Sequence, residues 1–148
     1  MKHVDLRVEG ALKSFIDNLA RSSRRTRSDV FRDLVLVGLG VQKAGGAQLV
    51  GILGLPRPFT ELHFLGKDTQ KVAFWVDEGL LDELVAEFED DSRGALRQAA
   101  RLGALVCNPR IARVTGKVIG LGRLLVRVNP RGIKDERARQ ALKRLSQE

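Results

Sequence analysis

A single cysteine, Cys107, stands among the 148 residues, which excludes an internal disulfide and leaves no thiol cluster for zinc. The longest apolar run, residues 34–41, is far shorter than the roughly 20 residues that span a bilayer, so no transmembrane segment and no membrane partner are expected. The N-terminus lacks the long apolar core of a secretion signal, and the expected location is the cytoplasm. Catalytic groupings are missing too. His3 and His63 lie far apart and make no metal-site spacing with Cys107. Thr115, Gly116 and Lys117 are followed by Val118 where a phosphate loop needs Ser or Thr, and the upstream glycine spacing is absent. With no nucleophile, base and acid to assemble, the chain reads as a non-enzyme with no metal and no cofactor.

What the chain has is charge, unevenly placed. Its 26 Lys and Arg against 18 Asp and Glu leave a net +8, which makes a polyanion the first partner to weigh. Residues 1–38 carry 8 basic and 5 acidic side chains, residues 71–106 carry 4 and 8, and residues 107–148 carry 11 and 3. An acidic segment between basic ones predicts a mosaic of surfaces rather than a uniformly basic rod. The length suffices for one ordinary domain or two small ones, each with a modest core.

Pattern supplies the organisation. Val4, Leu6 and Val8 alternate with His3, Asp5 and Arg7, as in a strand with one apolar face and one face of hydrogen-bonding side chains. Leu12, Phe15, Ile16 and Leu19 then share a helical face, and the polar residues 21–25 interrupt it. Thr26 and Ser28 offer caps for a second helix with Asp29 in its first turn and Val30, Phe31, Leu34, Val35 and Val37 on its apolar face. That helix should end near Gly38 or Gly40. With one unpaired strand and a broad apolar face, such a unit needs a partner copy. A copy begins at Lys71, where Val72, Phe74 and Val76 alternate with Lys71, Ala73 and Trp75. Residues 7–12 align with 75–80 and Ile16 with Leu84; after a connection two residues shorter, Val30 aligns with Leu96 and Leu36 with Leu102.

The order strand, helix, polar turn, helix, with RTRSDVFRDL opening the second helix, resembles the ribbon-helix-helix family of DNA-binding proteins over residues 2–40 and again over 71–106. The resemblance implies that two strands pair into an antiparallel ribbon lying in the DNA major groove over interlocked helices. It also implies that His3, Asp5 and Arg7, with Lys71, Ala73 and Trp75, face base edges. The N-terminus of the second helix would hold a backbone phosphate, which maps onto Thr26, Arg27 and Ser28 and onto Ser92, Arg93 and Gly94. The residues suit those roles. Arg7 can contact guanine O6 and N7 in a bidentate manner, His3 can donate or accept, and Asp5 can accept from cytosine or orient Arg7. Arg24, Arg25 and Arg27 would add salt-sensitive attraction to phosphates.

The second copy departs from the first. Its first helix concentrates acidic residues, including Asp82, Glu83 and Glu87, so either that helix points away from DNA or the copy is a scaffold. Trp75 is expected to touch thymine methyl groups or, in slight preference, to pack elsewhere. One chain could pair its own two strands, or like copies of two chains could pair in a homodimer or higher oligomer.

The expected fold class is therefore mainly α with short β-strands: unit one over 1–40, a linker over 41–70, unit two over 71–107 and a basic C-terminal extension over 108–148. In the linker, residues 47–55 could form a short helix or strand, and Leu62 to Phe64 suggests an extended piece. In the extension, Ile111, Val114, Val118, Leu121, Leu125 and Val128 predict an amphipathic basic helix, with a hairpin turning at residues 120–122 as the alternative, and a last helix follows residue 132. The expected function is sequence-specific binding of double-stranded DNA, as a transcriptional repressor. The alternatives are an accessory protein of plasmid or mobile-element transfer that recruits a nicking enzyme through the C-terminal extension, and an antitoxin-like or structural basic protein.

Overall fold

In the computed structural model, residues 1–43, 62–64, 69–107, 112–114, 117–118 and 133–146 are described. Their elements run β1 (Lys2–Glu9), α1 (Gly10–Ser23), α2 (Arg27–Lys43), β2 (Leu62–Phe64), β3 (Thr69–Val76), α3 (Glu78–Phe88), α4 (Ser92–Cys107), β4 (Ala112–Val114), β5 (Lys117–Val118) and α5 (Glu136–Ser146). The molecule is mostly helical, and its principal sheet is the antiparallel pair β1 and β3. A strand followed by two helices occurs twice, as β1-α1-α2 and as β3-α3-α4.

The alternation in both strands sets which face is buried. Val4, Leu6 and Val8 of β1 and Val72, Phe74 and Val76 of β3 all point inward and are buried, because a period of two allows only one register that hides every apolar side chain. Beneath them α2 and α4 cross. At the crossing Gly38 lies so close to the Ala99 carbonyl, and Gly103 to the Leu34 carbonyl, that a Cβ on either glycine would overlap backbone. Phe31 of α2 stacks on Phe74 of β3 with ring centroids 3.8 Å apart and planes 5° from parallel, so the first unit's helix grips the second unit's strand. The buried residues of both units form one hydrophobic cluster. Each fully buried Leu, Ile or Phe in it contributes about 1.5–3 kcal/mol relative to exposure.

The reciprocal glycines fix how the units correspond. Gly38 matches Gly103 and Leu34 matches Ala99, a separation of 65 residues in α2 and α4, while the strands and first helices match at 68, as Glu9 and Asp77 before α1 and α3 show. The connection in unit two is thus three residues shorter, which corrects the expected pairing of Val30 with Leu96 by one position. The helix lengths account for it: α1 has 14 residues and α3 has 11.

Charge locks the units across their boundary. Glu9 is held by Arg101 of α4 at 2.5 Å, and Asp77 by Arg32 of α2 at 3.3 Å. Each carboxylate therefore sits at the start of its own first helix, where the helix dipole favours it, and takes its arginine from the other unit.

α5 lies against α2. Ala138 sits where a Cβ on Gly40 would fall, and Arg144 grips the buried carboxylate of Asp33, with Nη2 to Oδ1 at 2.8 Å. Asp33 also holds Arg25 at 2.6 Å. A helix that is apolar nearly all round must be covered nearly all round, and α2 is covered by the strand pair, α4 and α5. Midway along α3, Glu83 accepts from Arg137 of α5 at 2.7 Å and pairs with Lys43 of α2 at 2.5 Å. Those two cations, Arg137 foremost, pull its carboxyl down to about 2.

Several boundaries differ from expectation. α2 runs to Lys43, and β3 begins at Thr69. The basic amphipathic helix expected across residues 111–128 is not formed where the chain is described: β4 pairs antiparallel with β5 and with β2 in a second, three-stranded sheet. The β-branched and glycine residues there disfavour a helix, and the hairpin turn expected at residues 120–122 lies outside the described residues. Residues 47–55 and 119–132 lie outside the described residues. No helix among the described residues is long and apolar enough to cross a membrane.

Candidate functional site

The register of β1 against β3 brings six expected site residues onto one exposed face in three cross-strand pairs. His3 lies opposite Trp75, Asp5 opposite Ala73 and Arg7 opposite Lys71. All are exposed except Asp5, which is partly so. The pseudo-twofold relation between the units passes through the central pair, since Asp5 and Ala73 are equivalent by the 68-residue offset and also face each other.

The side chains on this face differ in what engages them. Asp5 sits 3.6 Å from the Lys71 ammonium on the diagonal and 4.0 Å from His3 Nδ1. It was expected to orient Arg7; the partner it takes instead is Lys71. Such exposed pairs contribute at most about 1 kcal/mol, but they offset the carboxylate's charge on this face. Arg7 makes no hydrogen bond or ion pair with the described residues and extends toward solvent. Trp75 does not pack into the core: it is 52% exposed, and its ring meets the His3 edge at 4.9 Å between centroids.

The second helix of each unit starts beside this face. Ser28 Oγ accepts from the backbone N–H of Trp75 at 3.1 Å, which seats the start of α2 against β3. Arg93 Nε donates to the Asp5 carbonyl at 3.1 Å, which seats the start of α4 against β1. The two starts are not alike. At α2 the cap is neutral: Thr26 Oγ1 accepts from Asp29 N–H at 3.1 Å. At α4 the cap is a carboxylate: Asp91 Oδ1 accepts from Gly94 N–H at 2.7 Å. Asp90 adds a second carboxylate, bonded to Asp91 N–H and to Gln98 Nε2. A helix N-terminus attracts anions through its free N–H groups and positive dipole end; α4 is capped by an anion of its own there, whereas α2 has a neutral cap, with Asp29 following in its first turn.

The remaining expected site residues divide by partner. Arg24 is exposed and holds the left-handed conformation that ends α1, with φ 55°. Arg27, 52% exposed at its side chain, makes a loose contact with Asp17 at 3.7 Å. Arg25 is turned inward onto Asp33, so part of its charge is already compensated. Ser92 opens α4 next to Asp91. Asp33 and Asp91 were not among the expected site residues. The signal for Asp33 was a carboxylate inside the apolar run of α2, and for Asp91 a capping aspartate three residues before a helical glycine.

A concavity of about 240 Å³ lies between α2 and α5, lined by Arg32, Leu36, Arg137 and Arg144 among others. Each of its arginines is already paired with a carboxylate. Comparison with family models, with curated proteins and with solved structures found no match to this chain.

Proposed function

We propose that this protein binds double-stranded DNA sequence-specifically, as two ribbon-helix-helix units in tandem whose β1–β3 ribbon enters the major groove. The observation that carries the reading is the face of three cross-strand pairs, His3 with Trp75, Asp5 with Ala73 and Arg7 with Lys71, standing outward on a strand pair backed entirely by core. The major groove, about 12 Å wide, admits a two-stranded ribbon. Arg7 is free to address guanine O6 and N7, and Asp5, engaged by Lys71 and His3, brings less uncompensated negative charge to the phosphates than a lone carboxylate would. The start of α2, with its neutral Thr26 cap and the exposed Arg24 and Arg27, suits a backbone phosphate. Ser92 and Arg93 would play the same part at α4 against the opposing charge of Asp91.

Repression by occupying a promoter is the biological role we favour over recruitment of a nicking enzyme. Two of the four cations of α5 are engaged on other helices of the fold, Arg137 on Glu83 and Arg144 on Asp33, which leaves fewer for a recruited protein. Selection of bound sequences from random duplexes, with the wild-type protein and with Arg7→Ala, tests the reading. A defined motif that loses one guanine position in Arg7→Ala is the expected result. A structural basic protein would return no motif, and equal weakening on every sequence would make Arg7 a phosphate contact.

A further inference from the structure

Resting on that DNA-binding reading, we infer that the ribbon is directional: it reads a non-palindromic site, with guanine under the Arg7–Lys71 end and thymine under the His3–Trp75 end. The twofold that relates the units equates Arg7 with Trp75 and His3 with Lys71, because the strands match at an offset of 68 residues about the Asp5–Ala73 pair. A palindrome would therefore offer Trp75 the same base edge it offers Arg7. The two cannot answer alike. Arg carries a rigid fork of donors that fits guanine O6 and N7 together, whereas indole has one N–H donor and no acceptor. What Trp75 presents instead is apolar ring surface, held edge-on by His3 and half exposed, and the apolar partner in the major groove is the thymine methyl.

The cross-strand register puts the two chemistries at opposite ends. Residues on one face recur at about 7 Å along a strand, so the outer pairs lie about 14 Å apart, or roughly four base-pair steps at about 3.4 Å each. The helix starts reinforce the polarity. α2, with its Thr26 cap and the exposed Arg24 and Arg27, is seated at Trp75, while α4, with Asp90 and Asp91 spent on its own first turn, is seated at β1 by Arg93. The neutral-capped start of α2 lies beside the aromatic pair at one end of the ribbon, whereas the carboxylate-capped start of α4 is seated at the central Asp5 carbonyl.

The test uses the full chain and three duplexes: the selected site and two palindromes, each built by duplicating one half of it. Wild type should bind the selected site at least tenfold more tightly than either palindrome. The double variant Lys71→His with Trp75→Arg gives the second strand the two outer outward residues of the first, leaving Ala73 at the centre, at exposed positions whose change should leave the thermal melt intact. Its preference should shift to the palindrome built from the guanine half. Wild type binding a palindrome as tightly as the selected site, or a folded double variant keeping the wild-type preference, would overturn directionality. Failure to select any site would instead sink the DNA-reading proposal itself.

Discussion

The two strand–helix–helix units share a core plan and differ at their surface. Inside, the correspondence is close: Gly38 and Gly103 each admit the partner helix's carbonyl, and Glu9 and Asp77 each take an arginine from the other unit. Outside, it fails position by position, with Arg7 answered by Trp75 and the Thr26 cap by Asp91. Packing constrains both members of a pseudo-symmetric pair because each is the other's neighbour. Solvent-facing positions carry no such reciprocal demand, and they are where the two units have acquired separate chemistry.

The largest expected effect tests the shared part. Gly38→Ala and Gly103→Ala should each destabilise the protein by about 3 kcal/mol in denaturant unfolding, because each places a methyl group against backbone that cannot move aside without parting the helices. Unequal costs would show that the crossing is less symmetric than the glycines suggest. Next comes the network around Glu83 of α3, which takes Lys43 from α2 and Arg137 from α5. Arg137 and Lys43 hold the Glu83 carboxyl at about 2 against 4.5 in the unfolded chain. A lowered folded value means stabilisation that is complete above about pH 4.5 and lost as the pH falls toward 2. Arg137→Met should cost about 1–2 kcal/mol at pH 7, after screening at a partly exposed site, and should flatten the loss between pH 4.5 and 2.

Exchanging the helix caps sharpens the surface difference. Thr26→Asp should leave the fold intact, since Asp caps as well as Thr, yet weaken DNA binding about fivefold, or about 1 kcal/mol, by giving the α2 cap the carboxylate that the α4 cap has. Asp91→Thr should strengthen binding by a similar factor in a titration at fixed salt. The smallest effect compares the two left-handed residues that end the first helices, Arg24 at φ 55° and Glu89 at φ 52°. Glycine at either relieves backbone strain. Glu89→Gly should raise stability by about 0.5 kcal/mol with DNA binding unchanged or slightly improved, whereas Arg24→Gly should gain the same stability and lose affinity.

Much of this architecture was legible in the residues. The alternation of Val4, Leu6 and Val8 and of Val72, Phe74 and Val76 names the inward and outward sets of both strands, because a half-buried strand has only one way to hide them. What alternation leaves out is the neighbour across the strand pair, so Lys71 rather than Arg7 as the partner of Asp5 emerges only from the register. The units' equivalence was one residue off in α2 and α4 because a broad apolar face looks much the same after a one-residue slip, while the small residues that settle it, Gly38 and Gly103, carry no hydropathy signal. The docking of α5 was hidden for a similar reason. Its amphipathic pattern announces an apolar face but not the helix that receives it, and the carboxylate that anchors it, Asp33, lies 111 residues away in the chain.

The pairing of β1 with β3 inside one chain also has a meaning for inheritance. Where two chains must each lend a strand, a damaged copy spoils the assemblies it enters, and the share of complete pairs falls with dilution. Here each chain completes its own pair. A cell carrying one damaged and one intact gene would keep the strand pair complete in every product of the intact one, at any level of expression.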